Sequence, residues 1–130
     1  MERISKKITN FMDLNAWKEG HKLVLQVYKS TNKFPIRERY GLGSQVERAV
    51  VSITSNIAEG FSRLSGKEKN NFYYFANSSL TEAQNQMLIA RDLGYIDRES
   101  FERIWRQTII VQKLINGLIK SIKNRRLNNP

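Results

Sequence analysis

Four stretches of this chain repeat apolar residues at alternating intervals of three and four, and none sustains an interval of two. That pattern lays one apolar stripe along each of four helices and leaves no alternating strand from which to build a sheet. The first stretch, over 15–32, places Trp17, His21, Val24, Tyr28 and Thr31 on one face. The second, over 42–59, aligns Leu42, Val46, Ala49, Val50, Ile53 and Ile57. The third opens at Ser65-Gly66-Lys67-Glu68, a serine and a glutamate at capping-box spacing. It continues through Phe72, Ala76, Ser79, Leu80, Ala83, Met87 and Ala90 to Gly94. The fourth, over 98–123, has Asp97 as its N-cap and a stripe of Phe101, Ile104, Thr108, Val111, Ile115, Leu118 and Ile122.

The punctuation between these stretches is short. Phe34-Pro35 closes the first, because a residue before proline avoids the α region, and Gly60 reads as the stop of the second. Four amphipathic helices with short connections specify an all-α fold, an antiparallel up-and-down four-helix bundle. At 130 residues the chain suits one domain over 1–130, with a short N-terminal lead over 1–13 and a basic tail over 124–130. The opening residues contain no apolar run of the signal-peptide kind. The most apolar stretch, over 109–122, is broken by Gln112, Lys113, Asn116 and Lys120, which excludes a membrane span. A soluble, cytoplasmic protein without a membrane partner is expected.

Catalysis finds no support in the residue inventory. Cysteine is absent and histidine occurs once, which excludes thiol chemistry, thiolate metal sites and multi-histidine centres. A di-iron bundle needs Glu-x-x-His pairs on two helices, whereas His21 has Lys18 three residues before it. His21 is expected to pack on the apolar side of the first helix beside Trp17 and Val24. No P-loop, dinucleotide-binding glycine pattern or nucleophile elbow is present. The expectation is therefore no enzyme, no cofactor and no metal. The run Phe72-Tyr73-Tyr74-Phe75 reads as core packing by Phe72 and Phe75, with Tyr73 at the edge and Tyr74 outward.

Two surface patterns remain. Between Asn70 and Ala90 the third helix carries a single charge, Glu82, and its outer face presents Tyr74, Asn77, Ser78, Thr81, Asn85 and Leu88. The second helix lines one side with Ser44, Ser52 and Ser55, with Arg48 and Glu59 among them. An ordinary polar surface is one explanation; charge depletion and small residues favour the other, a homo-oligomer interface. The basic residues are the second pattern. From Arg103 onward come Arg106, Lys113, Lys120, Lys123, Arg125 and Arg126 with no acidic residue, and most of the formal net charge of +10 lies there. Lys18, Lys22, Lys29 and Lys33 form a second stripe on the first helix. Such stripes attract polyanions through counterion release, so they are candidate nucleic-acid contacts, although they also serve solubility. No zinc finger, RNP signature, KH loop or basic zipper points to sequence-specific readout.

The residues Asp13-Leu14, Trp17, Gly20-His21 and Leu23 resemble the opening of the four-helix-bundle protein family encoded in 23S rRNA intervening sequences. The likeness continues through Phe34-Pro35, Glu38-Arg39-Tyr40-Gly41-Leu42, Ser44-Gln45 and Arg48-Ala49. It is densest at Ser52-Ile53, Ser55-Asn56-Ile57-Ala58-Glu59-Gly60 and Arg63, and returns at Ser65, Lys67-Glu68, Ser79-Leu80, Glu82 and Leu93-Gly94-Tyr95. Thr54 stands where the family usually has proline, and Glu47 where a second arginine is common. The resemblance implies an antiparallel bundle that assembles as a ring-forming pentamer and binds rRNA or another structured RNA, RNA rather than DNA. A related fold is the accessory variability protein of diversity-generating retroelements. Two function classes follow: a nucleic-acid-binding oligomer, or a scaffold docking a polymerase-type partner such as a reverse transcriptase.

Overall fold

The computed structural model describes residues 7–128, with side chains described through Arg125. Four helices carry the fold: α1 over Asn15–Thr31, α2 over Leu42–Ser62, α3 over Gly66–Asp92 and α4 over Arg98–Asn128. No strand occurs among the described residues.

Each helix start has a local cause. Ahead of α1, Asn10 caps a 3₁₀ turn over Phe11–Asp13, accepting from the Met12 amide while the Asp13 carboxylate accepts from the amides of Thr9 and Asn10. Ser65 Oγ accepts from the Glu68 amide at 3.1 Å, and Asp97 Oδ1 from the Ser100 amide at 2.8 Å, so α4 is capped as the spacing predicts and α3 shows the serine half of the expected capping box. Those donors from Ser100, amide first and hydroxyl second, hold the Asp97 carboxyl below its ordinary range. The N-cap of α2, Gly41, offers no side chain. Glu38, in a 3₁₀ turn over Ile36–Glu38, supplies the cap instead, with Oε1 accepting from the Leu42 amide at 3.0 Å.

The same carboxylate fastens one end of the bundle. Its Oε2 accepts from the Tyr95 hydroxyl at 2.9 Å, and Arg37 donates to that phenol oxygen at 3.2 Å. Tyr95 lies on the α3–α4 connection and its ring sits 5.6 Å from Phe34 on the α1–α2 connection. Two loops distant in sequence are thus tied together by one ionised group. The Leu42 amide, then the Tyr95 hydroxyl, lower the Glu38 carboxyl from its usual value. Gly43 fits close beside this turn, because a Cβ there would stand 2.9 Å from the Glu38 carbonyl oxygen.

Cross-helix contacts fix an antiparallel order. Between α1 and α2, Gly20 faces Thr54 and Ile57 at one end, while Thr31 donates to Glu47 at 2.6 Å near the other. Between α2 and α3, Ser52 pairs with Ser79 at 2.8 Å and Gly60 lies against Tyr73. Between α3 and α4, Asn70 reaches the Ile119 carbonyl, Asn77 bonds Asn116, and Gln84 bonds Thr108. Chain neighbours pack side by side, and α4 returns against α1 to close the ring. The core is contributed by all four helices, with Leu23, Val27, Val50, Ile53, Ile57, Leu80, Val111 and Ile115 fully buried. Each large aliphatic among them stabilises the fold by about 1.5–3 kcal/mol relative to exposure.

Three local expectations are corrected. The buried line of α1 is Ala16, Gly20, Leu23, Val27 and Thr31, so His21 is exposed and stacks on Trp17 with ring centroids 4.8 Å apart. Small residues face inward there because α1 and α2 approach closely, and bulk moves to the flank. Gly60 does not stop α2; the helix continues to Ser62, and Gly60 is buried where Tyr73 leaves no room for a Cβ. On α3, Tyr73 is the core aromatic at 3% exposure, Phe72 is half-buried and Phe75 is 59% exposed. The phase follows from that same glycine, which opens a slot that the Tyr73 ring fills.

Candidate nucleic-acid interface

The basic residues sit on the two helices that close the ring. Lys18, Lys22, Lys29 and Lys33 are all exposed along α1 and its following turn. Arg103, Arg106, Lys113, Lys120, Lys123 and Arg125 are exposed along α4. The side chain of Arg126 lies outside the described residues. The Gln107 amide nitrogen donates to the Glu19 carbonyl and carboxylate, both at 2.9 Å, which sets the register between the two helices. The helices that carry the α1 stripe and the α4 stripe are thereby neighbours.

They converge most closely at the start of α4. A groove of about 200 Å³ there is lined by Lys29, Lys33 and Arg103, together with the hydroxyl residues Ser30 and Ser100 and with Gln26 and Ile104. Acidic groups temper this end: Glu99 accepts from Arg103 at 3.4 Å, and Lys33 helps to depress the Asp97 carboxyl. Beyond Arg103 no acidic residue follows in the sequence. Arg106, Lys113 and Lys120 lie opposite the buried line of Ile104, Val111, Ile115, Ile119 and Ile122. Lys123 and Arg125 leave this face. The first stands 5.5 Å from the Tyr74 ring of α3, and the second lines a cavity with Lys69 and Tyr73.

By contrast, α2 and α3 have few charges, and those are nearly balanced in sign. The candidate subunit contact drawn from these helices separates into two flanks. On α2, Ser44 donates to the Gly41 carbonyl, and Ser52 is engaged by Ser79 and by the Asn56 amide. Glu59 accepts from Arg63 at 3.1 Å, while Arg48 and Ser55 are exposed. On α3, Asn77 turns toward α4 through Asn116, Tyr74 lies near Lys123, and Leu88 packs half-buried against the core. Thr81 and Asn85 are exposed. Ser79 faces α2 and Asn77 faces α4, so the two sets flank α3 on opposite sides. Phe75, expected in the core, is instead exposed, because Tyr73 takes the buried place in the aromatic run, while Ala76, Leu80, Ala83, Met87 and Ala90 of the α3 stripe are buried as expected.

The connections hold further exposed apolar groups that helical periodicity could not flag. Ile36 and Tyr40 are each 90% exposed on the α1–α2 connection, beside exposed Arg37 and Arg39. Among the described residues no three His, Cys, Asp or Glu side chains gather as a metal site. No helix among them is long and apolar enough to cross a membrane.

Residues 12–117 match the family described as 23S rRNA-intervening sequence protein. A solved structure with the same fold is a protein of unknown function from the S23 ribosomal protein family of Bacteroides thetaiotaomicron VPI-5482. It is 21% identical, superposes with a TM-score of 0.73, and the alignment covers 81% of this chain and 98% of that one. No curated protein matches the chain.

Proposed function

This chain belongs to the 23S rRNA-intervening sequence protein family, and on that premise we propose that it binds nucleic-acid backbones through the joint α1–α4 face, without catalysis and with little sequence preference. One observation carries the proposal: the bundle puts the two Lys/Arg stripes on adjacent helices while α2 and α3 stay nearly neutral. A cationic face of this kind gains free energy by releasing condensed counterions, and it needs no base contacts to do so. The family's tie to 23S rRNA intervening sequences makes RNA the first ligand to test, ahead of DNA. Assembly into a cytoplasmic homo-oligomer, a pentamer by family likeness, would repeat the face and add weak contacts through multivalency.

Reversing Arg106, Lys113 and Lys120 to Glu tests this directly. The three residues are exposed and opposite the core line, so helicity and assembly mass are retained. Affinity for structured RNA drops, and the slope of log affinity against log salt flattens by roughly 2–3 per subunit engaged. An intact triple variant with wild-type affinity and slope would remove α4 from the binding surface.

A second role as a scaffold for a polymerase-type partner draws on Ile36 and Tyr40, the exposed apolar pair flanked by arginines. Pull-down with and without nuclease separates the two: a partner retained after nuclease and lost on Ile36→Ser with Tyr40→Ser favours the scaffold.

A further inference from the structure

A cavity at the end of the bundle where α4 finishes combines aliphatic walls with two cations. It is an open hollow of about 390 Å³ between Ile8 and Leu14 ahead of α1, the end of α2, the start of α3 and the end of α4, within the span of small-molecule sites at roughly 300–1,000 Å³. Its walls are largely aliphatic, including Leu14, Leu118 and Ile122. Two cations, Lys69 and Arg125, and the phenol of Tyr73 also line it. Neither cation is in an ion pair among the described residues. Lys69 donates to the Phe61 carbonyl at 2.7 Å, which uses one of its three N–H donors, and Arg125 donates to the Ser121 hydroxyl at 3.5 Å. Burial first, and the charge of Arg125 second, lower the Lys69 ammonium from its ordinary value. Burial raises the Tyr73 phenol, which stays protonated and able to donate.

Two like charges facing one apolar hollow, with no carboxylate among its described lining residues, create a site that suits an anion. The aliphatic walls add that the anion has an apolar body, since a bare inorganic ion would leave most of the volume unfilled. We propose that this cavity binds a small amphipathic acid, its carboxylate or phosphate monoester head held by Lys69, Arg125 and Tyr73 and its apolar body against Leu14, Leu118 and Ile122. The site shares no helix face with Arg106, Lys113 and Lys120, so it stands independently of RNA binding.

Titration of the full chain by calorimetry and amide-resolved NMR tests the proposal with four probes: octanoate, octyl phosphate, octan-1-ol and inorganic phosphate. Octanoate and octyl phosphate bind with shifts centred on 61–73 and 118–125, while octan-1-ol and inorganic phosphate bind about tenfold more weakly or worse. Arg125→Gln, at an exposed position, weakens octanoate by about fivefold or more without changing the melting temperature. Leu118→Trp fills the hollow and removes octanoate and octan-1-ol together. The triple reversal of Arg106, Lys113 and Lys120 leaves octanoate binding intact. Equal affinity for octanoate and octan-1-ol would reduce the site to an apolar hollow, and equal affinity for inorganic phosphate would reduce it to diffuse charge attraction. Either outcome, or an Arg125→Gln variant that binds like wild type, overturns the proposal.

Discussion

Alanine at Gly60 and alanine at Gly117 should change stability in opposite directions, although both positions are helical. A Cβ on Gly60 would stand 2.6 Å from Tyr73 Cε1, 2.9 Å from Cδ1 and 3.1 Å from the Lys69 carbonyl oxygen. Two of those neighbours belong to a buried ring and the third to backbone, so none is a flexible chain end. Forcing a methyl into such a contact costs about 1–3 kcal/mol, and three close neighbours place this site in the upper part of that range. Helix propensity returns about 1 kcal/mol for glycine to alanine. Gly60→Ala therefore loses about 1–2 kcal/mol, a fall in melting temperature of about 4–8 °C for a chain of this length. A Cβ on Gly117 meets nothing within 4 Å, so the same substitution there gains about 0.5–1 kcal/mol. Urea unfolding followed by circular dichroism measures both. Adding Tyr73→Leu to Gly60→Ala should cost less than the two changes made separately, because the methyl then has space. A Gly60→Ala protein as stable as wild type would mean that the Tyr73 ring swings into the neighbouring cavity, and the close-packing account of Gly60 would be wrong.

Three other outcomes are expected. The Glu38 carboxyl is depressed in the fold, so its contribution to stability is complete above the ordinary carboxylate range and is lost as pH falls through the depressed value. Glu38→Gln should be less stable than wild type at neutral pH by an amount that shrinks on acidification, and a pH-independent difference would refute the linkage. If α3 carries a subunit contact, Tyr74→Glu with Phe75→Glu gives a smaller, still helical species in sedimentation, whereas wild-type sedimentation as a monomer at micromolar concentration excludes the contact. Ser52→Ala should cost about 1 kcal/mol by depriving Ser79 and Asn56 of a partner, and Ser52→Ala with Ser79→Ala should cost less than the sum.

Helix number, order and three of the four buried lines were legible because apolar periodicity is a property of whole segments. Ile53 and Ile115 sit mid-stripe in the sequence and are fully buried in the fold. The failures share one cause. Ala16 and Gly20 line the inside of α1, while the larger Trp17 and Tyr28 stand to the flank. A stripe scored by hydrophobicity follows the large residues, but helices that approach closely put their small residues at the contact. The Gly60–Tyr73 fit shifted the aromatic run of α3 in the same way: which ring enters the core depends on a glycine thirteen positions earlier, across the α2–α3 turn. On the candidate interface, each stripe could be read from its own helix. That the two stripes adjoin could be read only from the closure of the ring by α1 against α4.

The residues behind the family resemblance are mostly occupied inside the chain. Glu38 caps α2 and receives Tyr95; Ser52 and Asn56 join α2 to Ser79; Gly60 receives Tyr73. A ligand could use these groups only by breaking contacts that hold two helices or two loops together. In this chain that part of the signature serves the antiparallel bundle and its end closure. The basic face and the apolar hollow are built from residues outside the signature: Lys18, Lys22, Lys29 and Lys33 beside Arg106, Lys113 and Lys120 for the first, and Lys69 with Arg125 for the second, whereas Tyr40 of the exposed Ile36 and Tyr40 pair belongs to it. Charge reversal on those surfaces should change binding while leaving the fold intact, and the Gly60 and Ser52 substitutions should do the reverse. That separation gives the Lys/Arg stripes a physical test that sequence likeness cannot provide, because family membership alone carries the fold and leaves the binding surface to be measured.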